Sequence, residues 1–360
     1  MHGIAAFRET HIPQIVNLTQ PPVPQNGQVL CRTLELGVCG TDREILSSQQ
    51  PETPPNDNFL VLGHECLARV EAVGPDVENF SPGNLVVPLV RRAIAPSPYR
   101  CDLLSREHFV ERGIFRAHGF SAQQWIDNQE YLLPIHSKIE SLAVLAEPTS
   151  IAEKGINESI LVQEARLGHN VWIIQPPRVL VTGMGPIGFL AVIACRCRNW
   201  SVTHFGRDPQ DSFRACLSKD FETTYTDHLD KPASLDDLVE KPFDLVLECT
   251  GSDDVMLRAA QTLAPRGVMV WLGSSRQPRS QKRNAALLMR QALARNNIFI
   301  GSVNSAPRDF HDALTHLTQM QEHFSQAMAK LITDRVTPDD SLWHYEHRRP
   351  QGIKTIVVYQ

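Results

Sequence analysis

Gly183-Met184-Gly185-Pro186-Ile187-Gly188 follows the apolar run Val179-Leu180-Val181 and precedes the helical pattern Phe189-Leu190-Ala191-Val192-Ile193-Ala194. Strand, glycine turn and helix in that order is the context in which G-x-G-x-x-G marks a dinucleotide site. Gly183 permits the tight turn, Gly185 lets backbone approach a pyrophosphate, and Gly188 lets the helix pack on the strand. Amide groups at the helix start then meet the phosphates with the favourable end of the helix dipole. Gly183, Gly185, Pro186, Ile187 and Gly188 are therefore candidate cofactor-binding residues; the alternative is a plain turn in an α/β protein.

The turn lies halfway along 360 residues, and a dinucleotide fold needs only about 130 to 150, so a second domain is expected. Hydrophobic and charged fractions of 42% and 21% are ordinary for a globular chain. A net charge of −5 gives no reason to expect nucleic acid or a membrane surface as partner. The opening Met1-His2-Gly3-Ile4-Ala5-Ala6-Phe7-Arg8 reads as a strand, not a signal segment. No apolar run approaches a bilayer span, and a cytoplasmic location is expected. The eight cysteines, scattered without a repeating interval, read as free thiols or metal ligands.

Residues 29–36, 68–73 and 85–90 alternate like strands, so the first half is largely β. From Arg178 onward strands at 178–182, 202–205, 244–248, 268–272 and 298–301 alternate with helices, which implies a parallel doubly wound sheet. Residues 309–331 carry apolar side chains at helical spacing, and 354–359 read as a strand returning to the first domain. The expected division is a catalytic domain over 1–174, a dinucleotide domain over 175–307, and a return to the first over 308–360.

Cys39 lies in Val38-Cys39-Gly40-Thr41-Asp42, His64 and Glu65 in Leu62-Gly63-His64-Glu65, and Glu147 in Ala146-Glu147-Pro148. A thiolate, an imidazole and a carboxylate can hold Zn²⁺ tetrahedrally and leave one position open. Spacing alone does not bring these segments together. Cys39 can equally be a packed thiol, His64 a turn histidine and Glu147 a helix N-terminal acid.

V-C-G-T-D, L-G-H-E, P-G-x-x-V-V-P, A-E-P and the glycine turn, in this order, resemble the medium-chain zinc alcohol dehydrogenases. Residues 37–45 (GVCGTDREI), Val90-Arg91-Arg92, 145–154 (LAEPTSIAEK), Gly301-Ser302-Val303-Asn304 and Arg308-Asp309-Phe310 resemble their glucose (aldose) 1-dehydrogenase branch. The resemblance implies a GroES-like, mostly-β catalytic domain plus a Rossmann domain. It implies that Cys39 and His64 ligate zinc together with Glu65, Glu147 or a water. It also implies that Thr41 bonds the reacting hydroxyl and passes on its proton, and that Glu111, Glu147 and Asn304 contact the sugar, with Asn304 also beside the nicotinamide. The bland readings are that Thr41 caps the helix starting at Asp42 and that Glu111 is a solvated loop acid.

Relatives of this kind carry three or four cysteines in the stretch corresponding to 91–119, holding a second, structural zinc. Here that stretch contains only Cys101, so one catalytic zinc per chain and no structural zinc are expected. The loop must then be held by its own packing. A homo-oligomer, dimer or tetramer, is expected from the resemblance. Asn84 replaces the aspartate usual after P-G.

Gly206 occupies the position where NAD enzymes place an acid for the ribose 2′-hydroxyl, and Arg207 follows where a guanidinium can clamp a 2′-phosphate. In the sugar branch such a step goes with NADP or dual use. NADP is therefore expected as the preferred cofactor, with Asp208 leaving NAD possible. Thr250, Gly273 and Ser274, at strand ends, are further cofactor-cleft candidates. Cys249 reads as a packed residue. Cys195 and Cys197 point to different helix faces and cannot pair on a metal.

Two readings from different classes remain. One is a zinc- and NADP-dependent dehydrogenase of an aldose, with another polyol or alcohol as the alternative substrate. The other is a lapsed dinucleotide-binding sensor or scaffold. Retention of Cys39, His64, Glu65 and Glu147 favours the enzyme.

Overall fold

Strands Arg178–Thr182 and Ser201–Phe205 pair in parallel, and four more join them to make a six-stranded, all-parallel sheet. In the computed structural model, which describes residues 1–48, 50–227, 242–273 and 285–359, the spatial order is Thr224–Thr226, Ser201–Phe205, Arg178–Thr182, Phe243–Glu248, Leu263–Trp271, Ile298–Gly301. That is the 3-2-1-4-5-6 order of the doubly wound dinucleotide fold, whose direction reverses beside the first strand. Thr224–Thr226 was not anticipated: three residues are too short to show a period. Leu263–Trp271 starts earlier than expected, across a register shift opposite Phe243/Leu245.

The first half is mostly β. Gln28–Gly37 is its central strand, antiparallel to Glu65–Val73, Gln124–Asn128 and Lys354–Val358. The last of these is the strand expected to return from the C-terminus. It also pairs in parallel with Ile332–Val336, which the sequence reading had placed in no element. The core of this sheet contains Val29, Cys31, Leu36, Leu60, Cys66, Phe120 and Trp125. Cys31 and Cys66 are free thiols pushed up by burial, Cys31 also by Cys66 nearby.

The chain divides into one unit of Met1–Glu147 with Ile332–Gln360 and another of Pro148–Leu331. The sequence reading put these divisions at 174 and 307. Two helices account for the difference. Most of Ala146–Leu167 belongs to the second unit, where Gly155 lies against Val270 and Leu272. Pro307–His323 packs on Pro186–Cys197. The single helix read over 309–331 is two, Pro307–His323 and Ser325–Ala329, parted at Phe324, whose backbone is not helical (φ −128°, ψ 40°). No described helix is long and apolar enough to cross a membrane.

The glycine turn has the backbone the motif demands. Gly183 has φ +103°, in the left-handed region, and a Cβ there would press on Thr250 and Cys249. A Cβ on Gly188 would strike the Gly183 carbonyl oxygen, so the helix can approach the turn only as glycine. A Cβ on Gly185 would meet nothing within 4 Å, leaving room above the helix start.

His204 braces this turn from below. It is fully buried, its Nε2 2.9 Å from the Gly183 carbonyl and its Nδ1 2.9 Å from Ser218 Oγ. A carbonyl only accepts, so Nε2 carries the proton and the ring is neutral. Burial pushes His204 down to about 4. The unfolded chain, with an ordinary histidine near 6.5, then binds the extra proton between these values. Stability from this group is intact above pH 6.5 and lost as pH falls towards 4, by about 3 kcal/mol. Urea unfolding of the wild type should therefore weaken from pH 6.5 to 4.5 more steeply than that of His204→Gln, by about one proton. Equal slopes would contradict this.

Candidate metal centre and dinucleotide site

The metal candidates meet because of strand register. Gly37 pairs with Glu65, so continuing the antiparallel ladder by one residue sets Val38 beside His64. Ile356 pairs with Gly37, so Lys354 lies at the same end of the sheet, level with Cys39. Three segments remote in sequence thus end together. Among the described residues, Cys39, His64 and Glu65 form the one group of three or more His, Cys, Asp or Glu whose ligand atoms lie within 4.8 Å of one another.

Asp42, on helix Gly40–Ser48, organises this group. Its Oδ2 accepts the Cys39 N–H at 2.8 Å, and its Oδ1 faces His64 Nδ1 at 3.7 Å. A carboxylate behind a histidine fixes the ring's tautomer and turns its other nitrogen to a metal. His64 also lies with its ligand atom within 4.8 Å of those of Cys39 and Glu65. Burial alone would lower His64, but Cys39, Asp42 and Glu147 together raise it well above its usual value. Thr41 is no helix cap: its Oγ1 lies 3.7 Å from Cys39 Sγ, and the cap-like bond comes from Asp42.

Lys354 and Glu147 complete the surroundings. Lys354 is buried, donates to the Val38 carbonyl at 3.2 Å and pairs with Glu65. Glu147 opens the helix Ala146–Leu167, delivered by Ser137–Leu145, which packs across the sheet. Burial raises Glu147 above the usual carboxylate range, with Glu65 and Glu111 adding to the rise and His64 and Lys354 opposing it. A half-buried thiol and three buried carboxyls around two basic side chains form a set that a divalent cation would neutralise. Sulfur, imidazole nitrogen and carboxylate oxygen are the donors zinc takes. The donor set therefore fits the ion.

Glu111 is not a solvated loop acid. It is buried, and its Oε1 accepts from Arg91 Nε and Nη2 at 3.0 and 2.9 Å. Arg91 also donates to the Asp102 carbonyl and stacks on Phe109 at 3.8 Å. Arg100 binds Asp102 through both carboxylate oxygens, and Cys101 Sγ approaches the Arg91 carbonyl at 3.6 Å. Arginine-centred ion pairs thus hold the 91–119 loop. Its end is laced to the approach to His64, with Gly119, Phe120 and Ser121 N–H groups donating to the carbonyls of Val61, Gly63 and Leu62.

In the second unit, the candidates cluster at the carboxyl edge of the parallel sheet. Gly183 lies against Thr250, Gly273 lies against Gly251, and Gly206 lies against Met184 of the glycine turn. Glu248 was not singled out from sequence, yet it ties these ends together. Buried at the end of Phe243–Glu248, it accepts from the Thr182 hydroxyl at 3.3 Å, from Thr250 N–H at 2.8 Å and hydroxyl, and from Gly251 N–H at 3.2 Å. Asn304 sits on the loop after Ile298–Gly301 with φ +60°. Buried Lys154 donates to the Val303 carbonyl at 2.8 Å, and Ser150 and Ser305 share a 2.6 Å bond, so this loop hangs on helix Ala146–Leu167. Arg207 is exposed at the end of Ser201–Phe205. Ser274 lies outside the described residues.

A GroES-like β unit bearing a Cys/His/Glu ligand group, joined to a doubly wound dinucleotide unit, defines the zinc-type alcohol dehydrogenase class. Residues 25–137 match the alcohol dehydrogenase GroES-like domain, and residues 140–359 match the glucose dehydrogenase C-terminus. The chain belongs to the glucose dehydrogenase family of these CH–OH oxidoreductases. It is 35% identical over 340 residues to glucose 1-dehydrogenase 1 of Caldivirga maquilingensis, covering 93% of this chain and 92% of that protein. It is 36% identical over 334 residues to glucose 1-dehydrogenase of Thermoproteus tenax, covering 91% of each. The solved structure of Haloferax mediterranei glucose dehydrogenase in complex with NADP, Zn and gluconolactone superposes with a TM-score of 0.87 at 27% identity, covering 100% of this chain and 99% of that one.

Elemental analysis of the purified protein should find one zinc per chain. Cys39→Ser should reduce it to near zero while leaving dinucleotide binding in the other unit intact. Two zinc ions per chain would mean a second site that the 91–119 loop was not expected to hold.

Proposed function

We propose that the protein is a zinc-dependent, NADP-preferring glucose 1-dehydrogenase. It converts a β-aldose and NADP⁺ to the aldonolactone, NADPH and a proton. The observation that carries the reading is the Cys39–His64–Glu65 group, half-buried at the thiol and buried at the imidazole and carboxylate, with Asp42 behind the imidazole and Thr41 beside the thiol. The sugar assignment rests on the glucose 1-dehydrogenases that match nearly the whole chain.

Cys39 and His64 hold the metal, and Glu65, Glu147 or a water completes its shell. Bound zinc supplies Lewis-acid polarisation of the reacting oxygen, and bound NADP⁺ supplies the hydride acceptor. Thr41 accepts a hydrogen bond from the C1 hydroxyl and relays its proton outward as the C1 hydride leaves. Glu147, held above the usual carboxylate range, and Glu111 bind sugar hydroxyls. Asn304 orients sugar and nicotinamide. Gly183, Gly185, Pro186, Ile187 and Gly188 present backbone to the pyrophosphate. Thr250 and Gly273 border the same cleft, and Arg207, following Gly206, meets the 2′-phosphate. A homo-oligomer, dimer or tetramer, acting in the cytoplasm accompanies this reading.

A hexose offers little apolar surface, so discrimination must come from polar partners left unpaired when a smaller alcohol binds. Glu111→Gln should then cut kcat/KM for aldoses at least tenfold more than for simple alcohols. A panel on which aliphatic alcohols outperform every aldose would overturn the sugar assignment and leave the zinc dehydrogenase standing.

Arg207→Ala should weaken NADP⁺ by roughly 10- to 150-fold, the range of about 1.5 to 3 kcal/mol for a charge-assisted contact, and leave NAD⁺ nearly unchanged. Equal losses would show that Arg207 contributes general potential only.

A further inference from the structure

The segment following Ser201–Phe205 is where ribose 2′-chemistry is read in this fold, and here it carries both signs of charge. Gly206 has no room for a side chain, because a Cβ would strike Met184 Cγ and crowd Tyr225 Oη. An acid at the usual position would have to displace the glycine turn's own methionine. The first carboxylate after it in the chain is Asp208. Left to itself, it would accept the ribose 2′-hydroxyl and repel a 2′-phosphate, opposing Arg207.

Asp208 is not left to itself. Its Oδ1 takes a 2.9 Å ion pair from Arg214 Nη2, in side chains that are 16% and 23% exposed. Its backbone carbonyl accepts the Tyr225 hydroxyl at 2.6 Å, which fixes the turn that aims the side chain. Arg214 stands in the first turn of Phe213–Asp220, a helix capped by Ser212 Oγ accepting the Ala215 N–H at 3.2 Å. The second arm of Arg214, Nη1, leans on the Met184 carbonyl at 3.5 Å, so the guanidinium spans from Asp208 to the glycine turn. With Asp208 paired to Arg214, the carboxylate next to Arg207 no longer offsets its charge. Without Arg214 that carboxylate would lose its 2.9 Å ion pair and oppose Arg207.

We propose that the Asp208–Arg214 ion pair is the cofactor-specificity determinant of this chain: it masks a carboxylate that would otherwise select the 2′-hydroxyl, and so makes the strand end choose a 2′-phosphate. This rests on the reading of the glycine turn as an NADP site. Arg214 is a positioning residue, acting through Asp208. The masking is partly buried, so it is screened less by salt than a surface pair would be.

The test is calorimetric binding of 2′,5′-ADP and 5′-AMP, which differ only in the 2′-phosphate and require neither substrate nor turnover. Arg214→Met should lower the preference for 2′,5′-ADP at least tenfold, a loss of about 1.4 kcal/mol. Adding Asp208→Asn to it should restore the preference to within about threefold of wild type, because the repelling charge is gone. Retained 5′-AMP affinity shows that each variant is folded. The proposal is overturned if Arg214→Met keeps the preference, or if the double variant stays as weak as the single. If Arg207→Ala weakens 2′,5′-ADP while Arg214→Met does not, only the masking role fails. If the wild type binds both nucleotides alike, the NADP reading itself fails.

Discussion

The site in the β unit depends on one constraint, the register between Gln28–Gly37 and its neighbours Glu65–Val73 and Lys354–Val358. Because Gly37 faces both Glu65 and Ile356, Cys39, His64 and Lys354 arrive at one end of the sheet from three distant parts of the chain. A slip of one residue would turn every side chain of a strand to the other face, separating sulfur from imidazole. The buried Lys354–Glu65 pair locks that register at the point where it matters. Removing one partner of a buried pair typically costs about 3 to 5 kcal/mol, since the other is left charged and unsolvated. The C-terminal strand is thus part of the centre even though none of its residues is a metal ligand.

The dinucleotide unit is arranged on a different principle. Its glycine turn is held from beneath by neutral His204, while Glu248 fixes the neighbouring strand end through the Thr250 and Gly251 N–H groups and reaches the Thr182 hydroxyl just before the turn. Glycines make such a turn possible but also make it entropically costly, so external bracing is what gives it one shape. The loop bearing Asn304 is fixed in the same way, by Lys154 and Ser150 on Ala146–Leu167. That helix starts at Ala146 and carries Glu147 in its first turn.

Arginine ion pairs hold the 91–119 loop. Arg91 serves the loop and Glu111 at once, through three donors in a fixed fork. Glu111 is therefore oriented by the same guanidinium that anchors the loop.

By itself the sequence determined the elements with a strong local signal. Gly183–Gly188 between an apolar run and a helical pattern sufficed for the doubly wound sheet, because turn and periods are local properties. The ordered V-C-G-T-D, L-G-H-E and A-E-P motifs named Cys39, His64, Glu65 and Glu147 as a set. Only the tertiary structure decided that the first three converge within 4.8 Å, because register between strands is not written in spacing. It also decided the roles of Asp42, Lys354, Glu248 and Arg214. Each is an ordinary polar residue in sequence, and each acquires its role from a partner brought close by folding. The unit boundaries at 147 and 331 belong to the same category. A helix shows its period in sequence but not the sheet it packs against, and burial against that sheet is what assigns it to a unit.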